Sequence, residues 1–376
     1  MHCHASKSVA GALGVLLLLG APGQVTGQQP QGPPPPAWRT DTTNAIIVLD
    51  SLSRTGRRDG IPAIDDPKFE SQADAARWLD DRDPVVALAI GNDVRAYPVS
   101  ILMHHDAVND VVNGVPVAVT FCILCGSAIA YDRRFDDQVL SFGYAGMLYN
   151  SNLVLYDRQT ETWWGQIVGQ GLVGRYAGRE LTRISAPTMS FKEYRRQTST
   201  GTVLSRNTGF DRPYGEGRLK GYDEDPNPIR RIFQKETDVR LPAKERVLVL
   251  EEEDDIVAIP FSALTERKVI TTRVGNRDAV VWWSPGTASI YTDRVADGKD
   301  VGAAAGFDPV VEGRRLTFSA TTDGSFTDRQ TGSVWSFGGR AVSGPLAGKV
   351  LTPIDDGVHF WFVWAAYRPG TRVVGR

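Results

Sequence analysis

The chain has few cysteines and no long apolar run. Of its 376 residues only 3 are cysteines, at Cys3, Cys122 and Cys125, which excludes a disulfide-rich scaffold. The longest apolar stretch, Val9 to Leu19, is shorter than the roughly 20 residues that a membrane-spanning helix needs. No better candidate follows it, so the sequence predicts no transmembrane segment in the mature chain.

An excess of one charge is also lacking. The 42 Lys and Arg residues against 44 Asp and Glu give a formal net charge of -2, so no overall positive field favours nucleic acid as a partner. Other partners are not indicated. The sequence has no Gly-x-Ser-x-Gly, P-loop, dinucleotide-binding, His-Glu-x-x-His or EF-hand motif, and these absences argue against common hydrolases, a nucleotide cofactor, zincins and calcium loops. Whether the protein is an enzyme stays open at this point.

The N-terminal residues have the pattern of an export signal. Residues 1–27 begin with a short polar stretch, continue with the apolar run and end in small residues, which predicts a signal peptide cleaved near Gly27. The mature protein is then expected to be periplasmic or secreted. Residues 28–61 contain four consecutive prolines and are predicted to be a Pro-rich linker and N-terminal segment.

The rest of the chain has mainly the pattern of β-strands. Short runs of β-branched and aromatic residues are separated by turn residues, and Asn113-Gly114 is a strong hairpin signal. Helical patterns are confined to Ser71 to Leu79, Ser190 to Gln197 and a stretch near Trp361 to Tyr367. The prediction is a mainly β fold, that is, a β-rich α+β protein with few short helices.

Several blocks of sequence occur twice, in the same order and at a nearly constant offset. Asp157-Arg158-Gln159-Thr160 with Trp164 recurs as Asp328-Arg329-Gln330-Thr331 with Trp335, and Ala96 to Leu102 recurs as Ala258 to Leu264. These matches predict two tandem pseudo-repeats of one β unit. Repeat one spans residues 62–206, a linker or long loop spans 207–241, and a degenerate repeat two spans 242–376.

The two predicted repeats differ where reactive side chains occur. Repeat one has Cys122 and Cys125, preceded by His104-His105. In repeat two Ser284 aligns with Cys122, Cys125 falls in an apparent deletion, and Glu266-Arg267 replaces the two histidines. Because thiols and imidazoles are lost together, we interpret them as members of one site.

These residues also carry a resemblance to a known family. The chain resembles the family catalogued as domain of unknown function 3179 in the stretches His105 to Asp110, Gly114 to Gly126, Leu148 to Val154, Tyr156 to Thr160, Gly344 to Gly348 and Phe360 to Ala366. The family usually has Glu at the position of Asp106, and Pro in the interval occupied by Ile123-Leu124. The resemblance implies an exported protein of bacterial or archaeal type and brings no activity with it.

The Cys-x-x-Cys pair has three possible uses. The leading hypothesis is a metal site in which Cys122, Cys125 and His105 bind copper or zinc, with an open position that allows redox chemistry. One alternative is a non-enzymatic binding or structural module with a static Cys122–Cys125 disulfide. A second alternative is a thiol–disulfide oxidoreductase.

Further residues are expected around this site. Asp106 and Asn109 follow His105 closely and could orient it, while Tyr149 and Asn150 belong to a motif that repeat two lacks. We expect these four residues in a second shell or in the pocket. His104 is interpreted as a surface or packing residue, and His359 as a packed histidine.

Overall fold

A computed structural model describes residues 1–2 and 37–375 of the chain. The predicted signal peptide beyond residue 2, most of the Pro-rich stretch and Arg376 lie outside the described residues. From Ala37 on, the chain packs as one unit. None of the helices in the described part is long and apolar enough to cross a membrane.

The first half of the fold contains the elements from β1 to β16. Its helices are α1 (Gln72–Ala75), α2 (Val99–Leu102) and α3 (Phe191–Gln197), and a 3-10 turn spans Leu49–Ser51. Its strands are β1 (Leu52–Arg54), β2 (Phe69–Ser71), β3 (Pro84–Ile90), β4 (Asp93–Pro98), β5 (Ala107–Val112), β6 (Val115–Cys122), β7 (Ser127–Asp132), β8 (Arg134–Phe135), β9 (Gln138–Val139), β10 (Phe142–Tyr149), β11 (Asn152–Asp157), β12 (Trp163–Gly165), β13 (Gln170–Val173), β14 (Arg183–Ile184), β15 (Thr188–Ser190) and β16 (Thr202–Leu204).

The second half contains the remaining elements, and a connecting segment (residues 205–245) without helix or strand precedes it. Its helices are α4 (Phe261–Arg267) and α5 (Trp361–Tyr367), and a 3-10 turn spans Val295–Asp297. Its strands are β17 (Arg246–Glu252), β18 (Asp255–Pro260), β19 (Val269–Val274), β20 (Arg277–Ser284), β21 (Ala303–Asp308), β22 (Val310–Val311), β23 (Arg314–Arg315), β24 (Phe318–Ala320), β25 (Phe326–Asp328), β26 (Val334–Trp335), β27 (Ala341–Ser343), β28 (Thr352–Pro353), β29 (Asp355–Phe360) and β30 (Arg372–Val373).

The main sheets of the two halves have the same strand order. A first sheet runs β15-β3-β4-β16-β2 in one half and β29-β17-β18-β30 in the other. In each sheet the strand that comes last in the sequence, β16 or β30, pairs in parallel with its neighbour β4 or β18. A second sheet runs β14-β7-β6-β5 in the first half and β28-β21-β20-β19 in the second half. A third sheet runs β10-β11-β12-β13 in the first half, where β1 is added next to β10, and β24-β25-β26-β27 in the second half. The mainly β prediction is confirmed. The tandem duplication and its boundaries stay predictions with which this strand order agrees.

Each first sheet is covered on both faces. In the first half, Val86 and Leu88 share a core with Val117 of their own second sheet, whereas Val85 on the opposite face shares a core with Trp282 of the second half. In the second half, Leu248 and Leu250 share a core with Val281 of their own second sheet. On the opposite face Val247 and Val249 belong to the core of the first half. The two halves therefore complete each other's hydrophobic core.

Local sequence signals explain several element boundaries. Ser190 caps α3, because its hydroxyl accepts a hydrogen bond from the Glu193 amide at 3.2 Å. Ser71 caps α1 in the same way, with the Asp74 amide at 3.1 Å, although this helix ends at Ala75 and the residues up to Trp78 form turns. The Asn113-Gly114 hairpin between β5 and β6 is confirmed, with positive φ at both residues as a tight two-residue turn requires.

The repeated Asp-Arg-Gln-Thr motif has the same geometry in both halves. The Asp157 carboxylate accepts hydrogen bonds from the Thr160 amide and from Trp164 Nε1, the latter at 2.9 Å. Asp328 accepts the equivalent bonds from Thr331 and Trp335, again at 2.9 Å from the indole. The motif serves to close a turn on a buried tryptophan.

Candidate functional site

Cys122 and Cys125 are joined by a disulfide at the end of the β6–β7 hairpin. Cys122 is the last residue of β6 and pairs with Ser127 of β7, and the two cysteine Cα atoms are 5.3 Å apart. Gly126 closes the turn with a φ of 58°, and a Cβ atom there would lie 3.1 Å from the Phe360 ring. The turn thus needs glycine for both its conformation and its packing.

Three groups from distant parts of the chain hold the carbonyls of this turn. The Tyr291 hydroxyl donates to the Ile123 carbonyl at 2.6 Å, and the Tyr222 hydroxyl donates to the Leu124 carbonyl at 3.0 Å. The Phe360 amide donates to the Cys125 carbonyl at 2.8 Å. Tyr222 comes from the connecting segment and the other two from the second half, so both regions fix the conformation of the disulfide turn.

One sulfur atom accepts a hydrogen bond from a buried amide. Asn152 Nδ2 lies 3.1 Å from Cys125 Sγ and 3.0 Å from Gln166 Oε1, while Asn152 Oδ1 accepts the Ile167 amide at 3.0 Å. These bonds fix the direction of the Asn152 amide. A donor aimed at sulfur stabilises negative charge on that atom.

A tight turn between β10 and β11 lies against the sulfur atoms. The Ser151 carbonyl oxygen is 3.5 Å from Cys125 Sγ, and the Ser151 amide donates to the Ile232 carbonyl at 2.9 Å. Asn150 and Ser151 both have positive φ, at 47° and 64°. For serine this conformation is costly, and such local strain is concentrated at functional sites.

The disulfide forms part of the wall of a large cavity. Cys122, but not Cys125, lines this cavity of about 680 Å³, together with Ile123 and Leu124 of the turn. Cys122 is 3% exposed and Cys125 0%. A cavity of this size can enclose a small molecule. The two cysteines are therefore unequal, because only Cys122 contributes to the cavity wall.

A buried carboxyl group shares the cavity wall with Cys122. Burial raises the pKa of Asp106 to about 7, against the lowering effect of the Arg218 charge. Asp106 has a φ of 60°, in the left-handed region, and its carbonyl accepts the Phe121 amide at 2.8 Å, next to Cys122 in sequence. An acid whose pKa lies near 7 can accept and release a proton at neutral pH.

His105 is occupied by other partners. Its Nδ1 lies 2.8 Å from the Pro62 carbonyl oxygen and its Nε2 lies 2.5 Å from the Tyr214 hydroxyl. Within residues 1–2 and 37–375 no group of three or more His, Cys, Asp or Glu is arranged to hold a metal ion. His104 is buried, burial lowers its pKa to about 4, and its ring contacts Tyr214 edge-on.

The other residues predicted for the site have different surroundings. Asn109 Nδ2 donates to Asp65 at 2.7 Å and to the Phe142 carbonyl at 2.9 Å, so Asn109 fastens β5 to β10. The Tyr149 carbonyl accepts the Tyr367 hydroxyl at 2.9 Å. Asn150 shapes the turn through its backbone, and its Nδ2 is buried without a partner in the described part of the chain.

His359 is a packed residue, as its aromatic surroundings indicate. Its ring stacks on Trp364 with centroids 4.8 Å apart, and its Nδ1 lies 2.9 Å from Ser127 Oγ. Burial lowers the pKa of His359 to about 3, which keeps the imidazole neutral.

One interpretation of the sequence is wrong in detail. The apparent deletion opposite Cys125 is an insertion, because Ser284 pairs with Ala303 as Cys122 pairs with Ser127. Residues 285–302 connect β20 to β21 where residues 123–126 connect β6 to β7.

Sequence reasoning also missed Asn152, Tyr222 and Tyr291. Asn152 belongs to the repeat-one-specific Tyr149-Asn150-Ser151-Asn152 motif, which was a usable signal. The two tyrosines come from regions with no sequence relation to the cysteines, so no local pattern could identify them.

The comparison with known proteins gives a family and no activity. Residues 58–371 match the family described as protein of unknown function DUF3179, and the chain therefore belongs to that family. No curated protein and no solved structure matches the chain.

Proposed function

We propose that the protein exchanges thiols and disulfides at Cys122–Cys125 with a small dithiol bound in the cavity. The observation that carries this proposal is the position of the disulfide at the cavity wall, which Cys122 lines and Cys125 does not. Of the three uses considered for the Cys-x-x-Cys pair, exchange is the one that this asymmetry favours. It assigns a different task to each sulfur.

Exchange begins when a thiolate of the dithiol attacks Cys122 Sγ. The bond between the two cysteines breaks, and its electron pair leaves on Cys125 as a thiolate next to the Asn152 N–H group, 3.1 Å from the sulfur in the oxidised form. The second thiol of the dithiol then attacks the mixed disulfide and releases Cys122. The dithiol loses two electrons and two protons, and the protein gains them as two cysteine thiols.

Asp106 supplies a proton acceptor for these steps. Its carboxyl group faces the same cavity, and its pKa of about 7 allows it to take the proton of an entering thiol. In the reverse direction the same group returns the proton. The proposal includes export, because a disulfide of this kind persists in an oxidising compartment.

The proposal is tested by trapping the mixed disulfide. With Cys125→Ser, the free Cys122 thiol should attack a small disulfide probe such as oxidised glutathione, release one half of it as a thiol and keep the other half covalently bound, as measured by intact mass. With Cys122→Ser, the remaining Cys125 thiol does not line the cavity and should react at least about tenfold more slowly, as expected for a buried thiol. Ser284→Ala, at the position that pairs like Cys122 in the second half, is the matched control and should leave exchange with dithiothreitol unchanged.

Two other results would contradict the proposal. A disulfide that dithiothreitol reduces only when the protein unfolds would identify a static structural bond. Protein isolated without chelator that carries about one copper or zinc ion per chain on reduced cysteines, with loss of the ion in His105→Ala, would instead support the metal hypothesis.

A further inference from the structure

The mouth of the cavity has a strong positive charge. Arg54, Arg218 and Arg231 are exposed and line it, and none of them forms a salt bridge within the described residues. Asp106 is the one acidic residue among the described residues that line the cavity. The arginines are therefore not neutralised by the cavity wall.

The three arginines come from two separate parts of the chain. Arg54 is the last residue of β1, which is paired with β10, and the other two belong to the connecting segment. Arg218 is fixed in direction, because its guanidinium donates to the Met103 carbonyl at 2.6 Å. Charges that converge in this way on one opening attract an anionic group.

Apart from these arginines and Asp106, the cavity wall is largely apolar. Its lining includes Leu52, Ile61, Leu148, Leu153, Ile229 and Ile232. Cys122 lies at this wall with only 3% of its surface exposed, which favours a small molecule that enters the cavity over a cysteine on the surface of a folded protein.

We propose that the cavity selects small dithiols that carry a carboxylate on an apolar chain. The carboxylate is bound at the mouth by the arginines, the chain lies against the apolar wall, and the dithiol meets Cys122. This inference rests on the proposed exchange function and adds the substrate class to it. The exchange step is the one described above, with the dithiol oxidised to its disulfide and the Cys122–Cys125 bond reduced.

Dihydrolipoate and dihydrolipoamide provide a matched pair of probes. Both present the same dithiol on the same apolar chain, and they differ in a terminal carboxylate against a neutral amide. The rate of reduction of Cys122–Cys125 should be about tenfold higher with the carboxylate at low salt, because about two- to fivefold is expected for each of several exposed ion pairs. The ratio should fall toward one at high salt, which screens the arginines.

Replacing arginines identifies the contact. Arg54→Gln, Arg218→Gln and Arg231→Gln should each lower the carboxylate-to-amide ratio about two- to fivefold, and the triple variant should bring it close to one. The ratio corrects for partial misfolding, because a damaged protein reacts less with both probes. Arg329→Gln, at an exposed arginine of the second half without a salt bridge in the described residues, should keep the wild-type ratio.

The outcomes separate the two proposals. A ratio near one in the wild type, or a preference for the amide, would overturn the selection of carboxylates while exchange itself stands. A ratio that survives the triple variant would also overturn it. Failure of both probes to reduce the native disulfide would overturn the exchange function first, and the substrate class with it.

Discussion

The ends of two corresponding hairpins have the same ladder and different connections. In β6–β7 the last pair is Cys122 with Ser127, and in β20–β21 it is Ser284 with Ala303. The first connection is a four-residue turn closed by a disulfide, whereas the second spans residues 285–302. The two hairpins therefore pair their strands in the same way, and only the residues that connect the strands decide whether a disulfide forms at the end of the hairpin.

The longer connection has become part of the site in the other half. Its Tyr291 holds the Ile123 carbonyl, and its Ser289 and Lys299 contact the buried carboxylate of Asp223. Asp223 belongs to the connecting segment and also pairs with Arg246 of β17 at 3.0 Å. The half that lacks the cysteines therefore contributes to the support of the half that has them.

The largest expected effect concerns the Asp-Arg-Gln-Thr motif, which has the same geometry in both halves. Asp157→Ala and Asp328→Ala should each destabilise the protein by about 3 kcal/mol, because each leaves a buried indole N–H and a turn amide unpaired. The measurement is urea unfolding of both variants. A difference between them of more than about 1.5 kcal/mol, the size of a whole hydrogen bond, would show that equal geometry conceals unequal energetics.

A second test concerns Asp106, where the pKa is raised from its ordinary 3.8 to about 7. The folded state binds this proton more tightly than the unfolded state does, so the stabilising contribution is complete below about pH 4 and is lost as the pH rises through 7. Asp106→Asn should therefore be more stable than the wild type at pH 8, by about 1–2 kcal/mol, with a smaller difference at pH 4. Thermal unfolding across this range measures the effect.

Asp355 is the matched control for Asp106. Burial also raises its pKa to about 7, and it does not line the cavity. Asp355→Asn should, like Asp106→Asn, be more stable than the wild type at pH 8. If Asp106 is the proton acceptor, the exchange rate of the wild type should rise around pH 7, and only Asp106→Asn should remove that rise. Loss of that rise in both variants, or in neither, would exclude Asp106 as the proton acceptor.

The smallest expected effect concerns the contact between the halves. Tyr291→Phe removes the hydroxyl that holds the Ile123 carbonyl, and this should destabilise the closed turn by about 1 kcal/mol. Because the open dithiol form needs the turn less, the equilibrium with dithiothreitol should shift about fivefold toward the reduced protein. A redox titration measures the shift.

Tyr194→Phe is the control for this titration. Its hydroxyl donates to the Val94 and Thr202 carbonyls within the first sheet and does not contact the disulfide turn. It should lower stability without changing the redox equilibrium. Equal redox shifts in the two variants would mean that Tyr291 acts through general stability and not through the turn.

Local patterns in the sequence were enough for the β-rich fold and for part of the site. Some signals depend only on residues close in sequence, and these could be interpreted without tertiary information. They are the runs of β-branched residues, the Asn113-Gly114 turn and the capping residue Ser190. The cysteines could be singled out because the second half lacks them. The surroundings of Asn109 and His105 could not be predicted from local patterns, because tertiary packing brings Pro62, Asp65 and Tyr214 to them.

The alignment of the two halves failed for a related reason. Residues 285–302 correspond to the four-residue turn 123–126, and sequence matching inferred a deletion in the second half where the structure has additional residues. Only strand pairing identifies Ser284 and Ala303 as the ends of the connection. Tyr291 lies within the unmatched residues, which is why its contact with the disulfide turn had no trace in the sequence.

The reciprocal packing of the first sheets has a consequence for the predicted duplication. A forerunner of half the length would have left the face that carries Val85, or its counterpart Val247, bare in water, so it would have had to assemble as a two-fold homodimer. Such a dimer has two equal clefts and cannot change one without the other. Under the predicted duplication, joining the subunits in one chain would remove that constraint, so that one copy could keep its cysteines while the other carries the long connection whose Tyr291 holds their turn.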